Sequence, residues 1–259
     1  LIFENCRNIV MTGHGNSLNG SLFFYQDPLP PAEQPPSVLV QDSHGIDLNN
    51  LRLTENHAGG LVLRNVTGPI NIQRLSALAN RGRAVSLHES APANITGAEI
   101  ARNFSAGVFT DSALTLENSI LFDNGILTNE AQLRIDNFTT TPRIRLHTNM
   151  LLSDRAEAPL IEVMAAGNFW TSYDSASCLY FAPSAETAFS IRATPLSFEN
   201  WQQVTGEDLN AYFGNPLLVD PDAFDFNPAP KSPWFSMSKW PEAAVDSSKQ
   251  KALRAELSE

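Results

Sequence analysis

Apolar and polar residues alternate with period two in short runs along most of this chain, and the runs come in threes. Val38-Leu39-Val40, Ile46-Asp47-Leu48 and Leu51-Arg52-Leu53 form one set. Leu61-Val62-Leu63, Ile70-Asn71-Ile72 and Leu75-Ser76-Ala77 form the next. The pattern returns at Val85-Ser86-Leu87, Ala93-Asn94-Ile95 and Ala98-Glu99-Ile100, then at Val108-Phe109, Leu114-Thr115-Leu116 and Ile120-Leu121-Phe122. Leu133-Arg134-Ile135, Ile144-Arg145-Leu146 and Met150-Leu151-Leu152 make a later set. Alternation of this kind marks strands with one buried face, and no helical period separates them.

An asparagine opens each new set. Asn56, Asn80, Asn103 and Asn124 lie 24, 23 and 21 residues apart. Self-similarity at such a period is the mark of a solenoid, in which each unit buries its apolar face against the next. Three strands per period, each stacked on its counterpart, place every inward side chain in one continuous core. The asparagines are expected to bond from turn to turn. A sandwich or propeller is the competing all-β reading, and the nearly constant asparagine spacing disfavours it.

An Asn-containing turn followed by a Gly-apolar-x-apolar strand, as in Asn56-His57-Ala58-Gly59-Gly60-Leu61-Val62-Leu63, resembles the right-handed parallel β-helix repeat of pectate-lyase-like proteins of bacterial type. The resemblance covers roughly residues 1 to 163. It implies an all-β solenoid, and it says little of function, because one fold hosts many activities. We expect coils over residues 1–167, with a proline-rich loop excursion at 26–37. Residues 168–259 are expected to hold a last coil, an irregular aromatic-rich C-terminal cap and a short helix within Ser248 to Leu257. The series Asn215-Pro216-Leu217-Leu218-Val219-Asp220-Pro221 looks like the closing segment of many bacterial β-helix proteins.

Composition narrows the function. Only 17% of residues are charged, against about 25% in an ordinary globule, which suits polar but uncharged corners. The net charge of -11 argues against nucleic acid or an anionic membrane surface as partner. No stretch reaches the roughly 18 apolar residues of a membrane span, and no signal peptide is visible. Cys6 and Cys178 fall at opposite ends of the expected stack, too far apart for a disulfide. The chain opens on Leu1-Ile2-Phe3, already strand-like, so we expect a piece of a larger extracellular or cell-surface protein with flanking domains.

Candidate chemistry lies where the first strand of each coil ends. Aligned on inward Val40, Leu63, Leu87, Phe109 and Ile135, the next outward column reads Gln41, Arg64, His88, Thr110, Asp136. The column after it reads Asp42, Asn65, Glu89, Asp111, Asn137. At the ~4.8 Å spacing of stacked strands, Glu89 and Asp111 are expected to be neighbours, with His88, Arg64 and Asp136 around them. Two close carboxylates push one pKa up and leave an acid beside a base, the arrangement glycoside hydrolysis uses. They could instead hold Ca²⁺, or cap their own turns; no other cofactor is implied. The resemblance also implies a saccharide cleft along this face, and Asp136, Asp42 and Trp170 are the binding candidates read from the residues.

Other signals are weaker. Gly13-His14-Gly15 is similar to the Gly-His-Gly of polygalacturonases, but the other signatures of that family are absent, and we read it as a turn. A lyase would need an arginine or histidine base, since Lys231, Lys239, Lys249 and Lys251 all lie beyond the repeat. Trp170, Tyr173, Trp201 and Tyr212 could stack on sugars or cover the core. No Cys/His spacing fits zinc, and there is no phosphate loop, serine elbow or dinucleotide fingerprint. The expectation is a non-catalytic carbohydrate-associated module that binds, senses or spaces. The alternative is a polysaccharide hydrolase or lyase using Glu89, Asp111, His88 and Arg64.

Overall fold

The computed structural model describes residues 1–12, 17–19, 36–136, 142–164, 169–239 and 243–257. Gly13-His14-Gly15, Asn137 and all but the end of the proline-rich excursion lie outside the described residues.

The chain winds into a parallel β-helix. Each turn of the solenoid, or rung, contributes one strand to each of three sheets, which contain nine (sheet A), seven (sheet B) and eight (sheet C) strands among the described residues. One rung shows the plan: Val85–His88 lies in sheet A, Ala93–Thr96 in sheet B and Glu99–Ala101 in sheet C. Each pairs in parallel with its counterparts one rung before and one rung after. Inward side chains stack in files such as Ile46, Ile70, Ala93, Leu114 and Ile144. The apolar core runs unbroken from Ile9 to Trp201 and Leu257.

The corners are made by single residues in the left-handed region. Asn5, Asp42, Asn65 and Glu89 turn the chain from sheet A to sheet B with φ of 54°, 50°, 49° and 46°. Such a residue redirects the chain and still leaves its amide aimed along the solenoid. Asp42 N–H donates to Arg64 O at 3.1 Å, and Asn65 N–H to His88 O at 2.9 Å. The ladder therefore continues through the bend, and Asn and Asp suit it because they tolerate positive φ better than other non-glycine residues.

The four asparagines form a buried ladder. Asn56 Nδ2 donates to Asn80 Oδ1 at 2.5 Å, Asn80 Nδ2 to Asn103 Oδ1 at 2.7 Å, and Asn103 Nδ2 to Asn124 Oδ1 at 2.7 Å. Each accepting oxygen also takes the backbone N–H of the preceding asparagine. Gln132 Oε1 ends the ladder, accepting from Asn124 N and Nδ2. All five side chains are buried.

One register differs from the sequence reading. Val108 pairs with Val85, so Phe109 pairs with Ser86 and Thr110 with Leu87. Thr110, not Phe109, is the inward residue, and it is fully buried. Its hydroxyl is satisfied locally: it donates to Ser112 O at 2.7 Å and accepts from Ser112 N–H at 3.0 Å. The Phe109 ring instead lies on the outer face, with the Arg83 guanidinium 3.9 Å from its centroid.

Past residue 167 the three sheets continue through Tyr173–Ala176, Leu179–Phe181 and Phe189–Ile191. Helix α1 (Phe198–Thr205) follows, started by Ser197, whose side chain accepts from Asn200 N–H, and ended by Gly206 at φ 76°. It lays Trp201 against the core, stacked on Phe189 and edge-on to Tyr173. Beneath it the buried Asp208 carboxylate accepts from Ser175 Oγ, Tyr173 OH, Tyr180 OH and Trp201 Nε1 at 2.5–3.0 Å. Helix α2 (Ser247–Glu256) packs on α1; Arg254 donates to Val204 O and Thr205 O. A hairpin, Leu218–Asp220 with Asp225–Pro228, folds back over the outer face of sheet C. There Phe226 joins Leu78, Phe122, Met150 and Leu179 in a second apolar cluster.

Candidate functional site

The strand ends of sheet A bring most of the expected residues together, in a changed order. With Thr110 inward, Asp111 moves up one position into the column of Arg64, His88 and Asp136. Arg64 pairs directly with His88. His88 Nδ1 lies 3.7 Å from Asp111 Oδ2, and its ring lies 5.0 Å from that of Phe109. Burial pushes the His88 pKa down; Asp111 pulls it back up, and Arg64 and Arg83 push it down again.

Glu89 occupies the corner column with Asp42 and Asn65, where Asn65 Nδ2 donates to Asp42 Oδ1 at 2.7 Å. Asp111 contacts Glu89 through the backbone. Its Oδ1 accepts from Glu89 N–H at 2.7 Å and from Ser112 Oγ at 2.8 Å. This is a side chain satisfying the amide of a left-handed corner, the turn-capping use of an aspartate.

The outer face of sheet A carries a second group, which joins the expected Asp136 to Arg134, Glu130, Glu162 and Arg83, residues that the sequence reading missed. Arg134 lies within 3.1 Å of Asp136, 3.2 Å of Glu162 and 3.5 Å of Glu130. Arg83 pairs with Glu130 at 2.7 Å. The Glu130 carboxylate also accepts from Ser105 Oγ and from Ala106 N–H. Burial raises its pKa, but the bonds from Arg83, Ser105 and Ala106 outweigh that and hold it at about 2. Burial pushes Glu162 upward, with Arg134 opposing. Alternation with apolar residues was the available signal, since Arg134 and Glu162 are the outward positions of Leu133-Arg134-Ile135 and Ile161-Glu162-Val163.

Trp170 lies apart, in a short 3₁₀ turn at Phe169–Thr171. It is 9% exposed, and Arg254 stands 5.4 Å over its ring. One face of the indole is thus taken by α2, and little remains for a sugar. Asp42 borders a pocket of about 580 Å³ at the corner between sheets A and B, lined also by Asn5, Arg7, His44, Asn65 and Thr67. Both cysteines are free. Among the described residues, no three His, Cys, Asp or Glu side chains are placed to hold a metal ion. No helix there is long and apolar enough to cross a membrane.

No family model, curated protein or solved structure matches this chain. The fold rests on its own geometry, long parallel sheets of regularly spaced strands.

Proposed function

We propose that this chain is a non-catalytic, carbohydrate-associated β-helix module of a larger extracellular or cell-surface protein, of the bacterial pectate-lyase-like type. The observation that carries the reading is the engagement of Asp111. Its carboxylate holds the Glu89 amide and the Ser112 hydroxyl. A general acid or nucleophile must keep its carboxylate available to substrate or water, and Asp111 spends one oxygen on the corner. A β-helix with regular outer columns and polar corners offers hydroxyl-rich polymers a long, repetitive surface, which suits binding, sensing or spacing.

A second reading, polysaccharide hydrolysis, is favoured by one observation. Glu130 and Glu162 share Arg134 while their environments push the two carboxyls in opposite directions, the situation from which acid and base roles arise. A depolymerisation screen on neutral and acidic polysaccharides, with and without Ca²⁺, separates the readings. The module reading expects no new reducing ends and no unsaturated products, together with retardation in gels containing the recognised glycan. Cleavage lost in Asp111→Asn would establish an enzyme at the predicted column. Cleavage lost in Glu162→Gln but kept in Asp111→Asn would place it at Arg134.

A further inference from the structure

Sheet B carries an irregularity confined to its first three strands. Arg7–Thr12, His44–Asn49 and Thr67–Gln73 have six or seven residues, whereas Ala93–Thr96, Leu114–Glu117 and Ile144–His147 have four. The extra length holds a left-handed residue, Asn8 at φ 53°, Gly45 at 73° and Gly68 at 73°. The ladder shifts register between His44 and Ile46. The shift marks one bulge, where Thr67–Gln73 carries an extra residue against His44–Asn49, and a bulge re-aims the side chain beside it. Here the residues beside it are His44 and Thr67.

Gly68 shows how tightly one of them is placed. A Cβ on Gly68 would stand 2.6 Å from His44 Cε1, so the imidazole of one rung lies directly on the bare backbone of the next. His44 Nδ1 is 3.0 Å from Thr67 Oγ1. A few ångströms away the corner column presents Asn5, Asp42 and Asn65, also held by positive φ. The pocket is lined by residues of both columns.

We propose that this pocket is a binding site for one neutral sugar unit of a glycan, held through vicinal hydroxyls. The inference rests on the carbohydrate reading above and gives it a location. Asn65 Nδ2 is bonded to Asp42 Oδ1, and His44 Nδ1 to Thr67 Oγ1, so these pairs hold the second Asp42 oxygen as an acceptor and His44 Nε2 as a donor or acceptor, with Asn5 and Arg7 beside them. The formal charges of Asp42 and Arg7 cancel, which suits a neutral sugar. The pocket volume of about 580 Å³ lies within the range of small-molecule sites. A site built to hydrogen-bond hydroxyls discriminates against analogues that lack them.

The test is titration of the whole chain with neutral gluco-, manno-, xylo- and galacto-oligosaccharides and an oligogalacturonate, by calorimetry and by the His44 imidazole NMR signals. Expected is binding of a neutral oligosaccharide that shifts those signals. Asp42→Asn, His44→Ala and Thr67→Val should each weaken binding by roughly tenfold or more, about 1.4 kcal/mol per decade, with unchanged melting temperature. Gly68→Ala should weaken it too, by displacing the imidazole without removing a polar group. Retained binding with undiminished affinity in His44→Ala and Thr67→Val would overturn the pocket and leave the module reading standing. Preference for the oligogalacturonate would overturn the sugar class. No binding to any glycan would remove the carbohydrate reading itself.

Discussion

At the scale of single residues, the solenoid depends on buried amides that belong to two rungs at once. Asn103 accepts from Asn80 N–H and Nδ2, and donates to Asn124 Oδ1, Ala77 O and Ala101 O. Replacing it with alanine removes the oxygen that serves two buried donors, Asn80 N–H and one N–H of Asn80 Nδ2, each orphan costing ~1–3 kcal/mol. Asn103→Ala should lose about 3 kcal/mol or more in urea unfolding, with little change in the slope. Glu130 acts by charge. Its folded pKa of about 2 lies below the ordinary glutamate value of 4.5, so its contribution is present above pH ~4.5 and disappears as pH falls through about 2. Glu130→Gln should be less stable than wild type at pH 7. The gap should close on acidification, which a series of melts from pH 7 to 2 would reveal; a constant gap would contradict the argument.

At the scale of elements, the three sheets treat their outer faces differently. Sheet A fills its outer face with ion pairs around Arg134. Sheet C instead presents Leu78, Phe122, Met150 and Leu179, and the hairpin at 218–228 covers them. Arg102 helps hold it there, paired with Asp222 and near the rings of Phe122 and Phe224. Phe226 is the hairpin's buried anchor, 3% exposed. Phe226→Ala should cost about 3 kcal/mol, the lower end for a buried aromatic truncation. It should also raise binding of a hydrophobic dye, because the face it covers is a contiguous apolar strip. A melt and a dye titration on the same sample would check both. Sheet B has longer first strands and a bulge between His44–Asn49 and Thr67–Gln73, and these rather than its apolar pattern mark the pocket.

At the scale of the molecule, a stack held by neighbour contacts has stability that varies along its axis. The strands Ile2–Glu4 and Arg7–Thr12 are the outermost of their sheets, and Ile2 and Val10 are 62% and 69% exposed. At the other end, Trp201, Phe189, Tyr173 and the Asp208 network lie buried against the last strands. Native-state hydrogen exchange should therefore be fastest in the strands at 2–12 and slowest near Val85–His88 and Leu114–Glu117, by an order of magnitude or more in rate, roughly. Uniform protection from end to end would mean that the rungs open together.

The period, and the face of the strands that alternate apolar with polar residues, followed from the chain alone, because alternation has only one way to bury itself and the asparagines recur at rung intervals. The register of the fourth coil did not. Val108-Phe109-Thr110 has no polar outward residue to mark its phase, and what placed Thr110 inside was a hydroxyl that finds its partners within its own turn. The same one-residue step took Asp111 out of the Glu89 column and into that of His88. Contacts between rungs were equally silent: Glu162 meets Arg134, and Arg83 meets Glu130, only because rungs stack at one strand spacing. His44-Gly45 and Thr67-Gly68 stand 23 residues apart, a written signal for the pocket, but a histidine–glycine pair acquires meaning only when a second glycine lies beneath the ring. Local pattern determined the rungs, and the contacts between rungs decided which side chains meet.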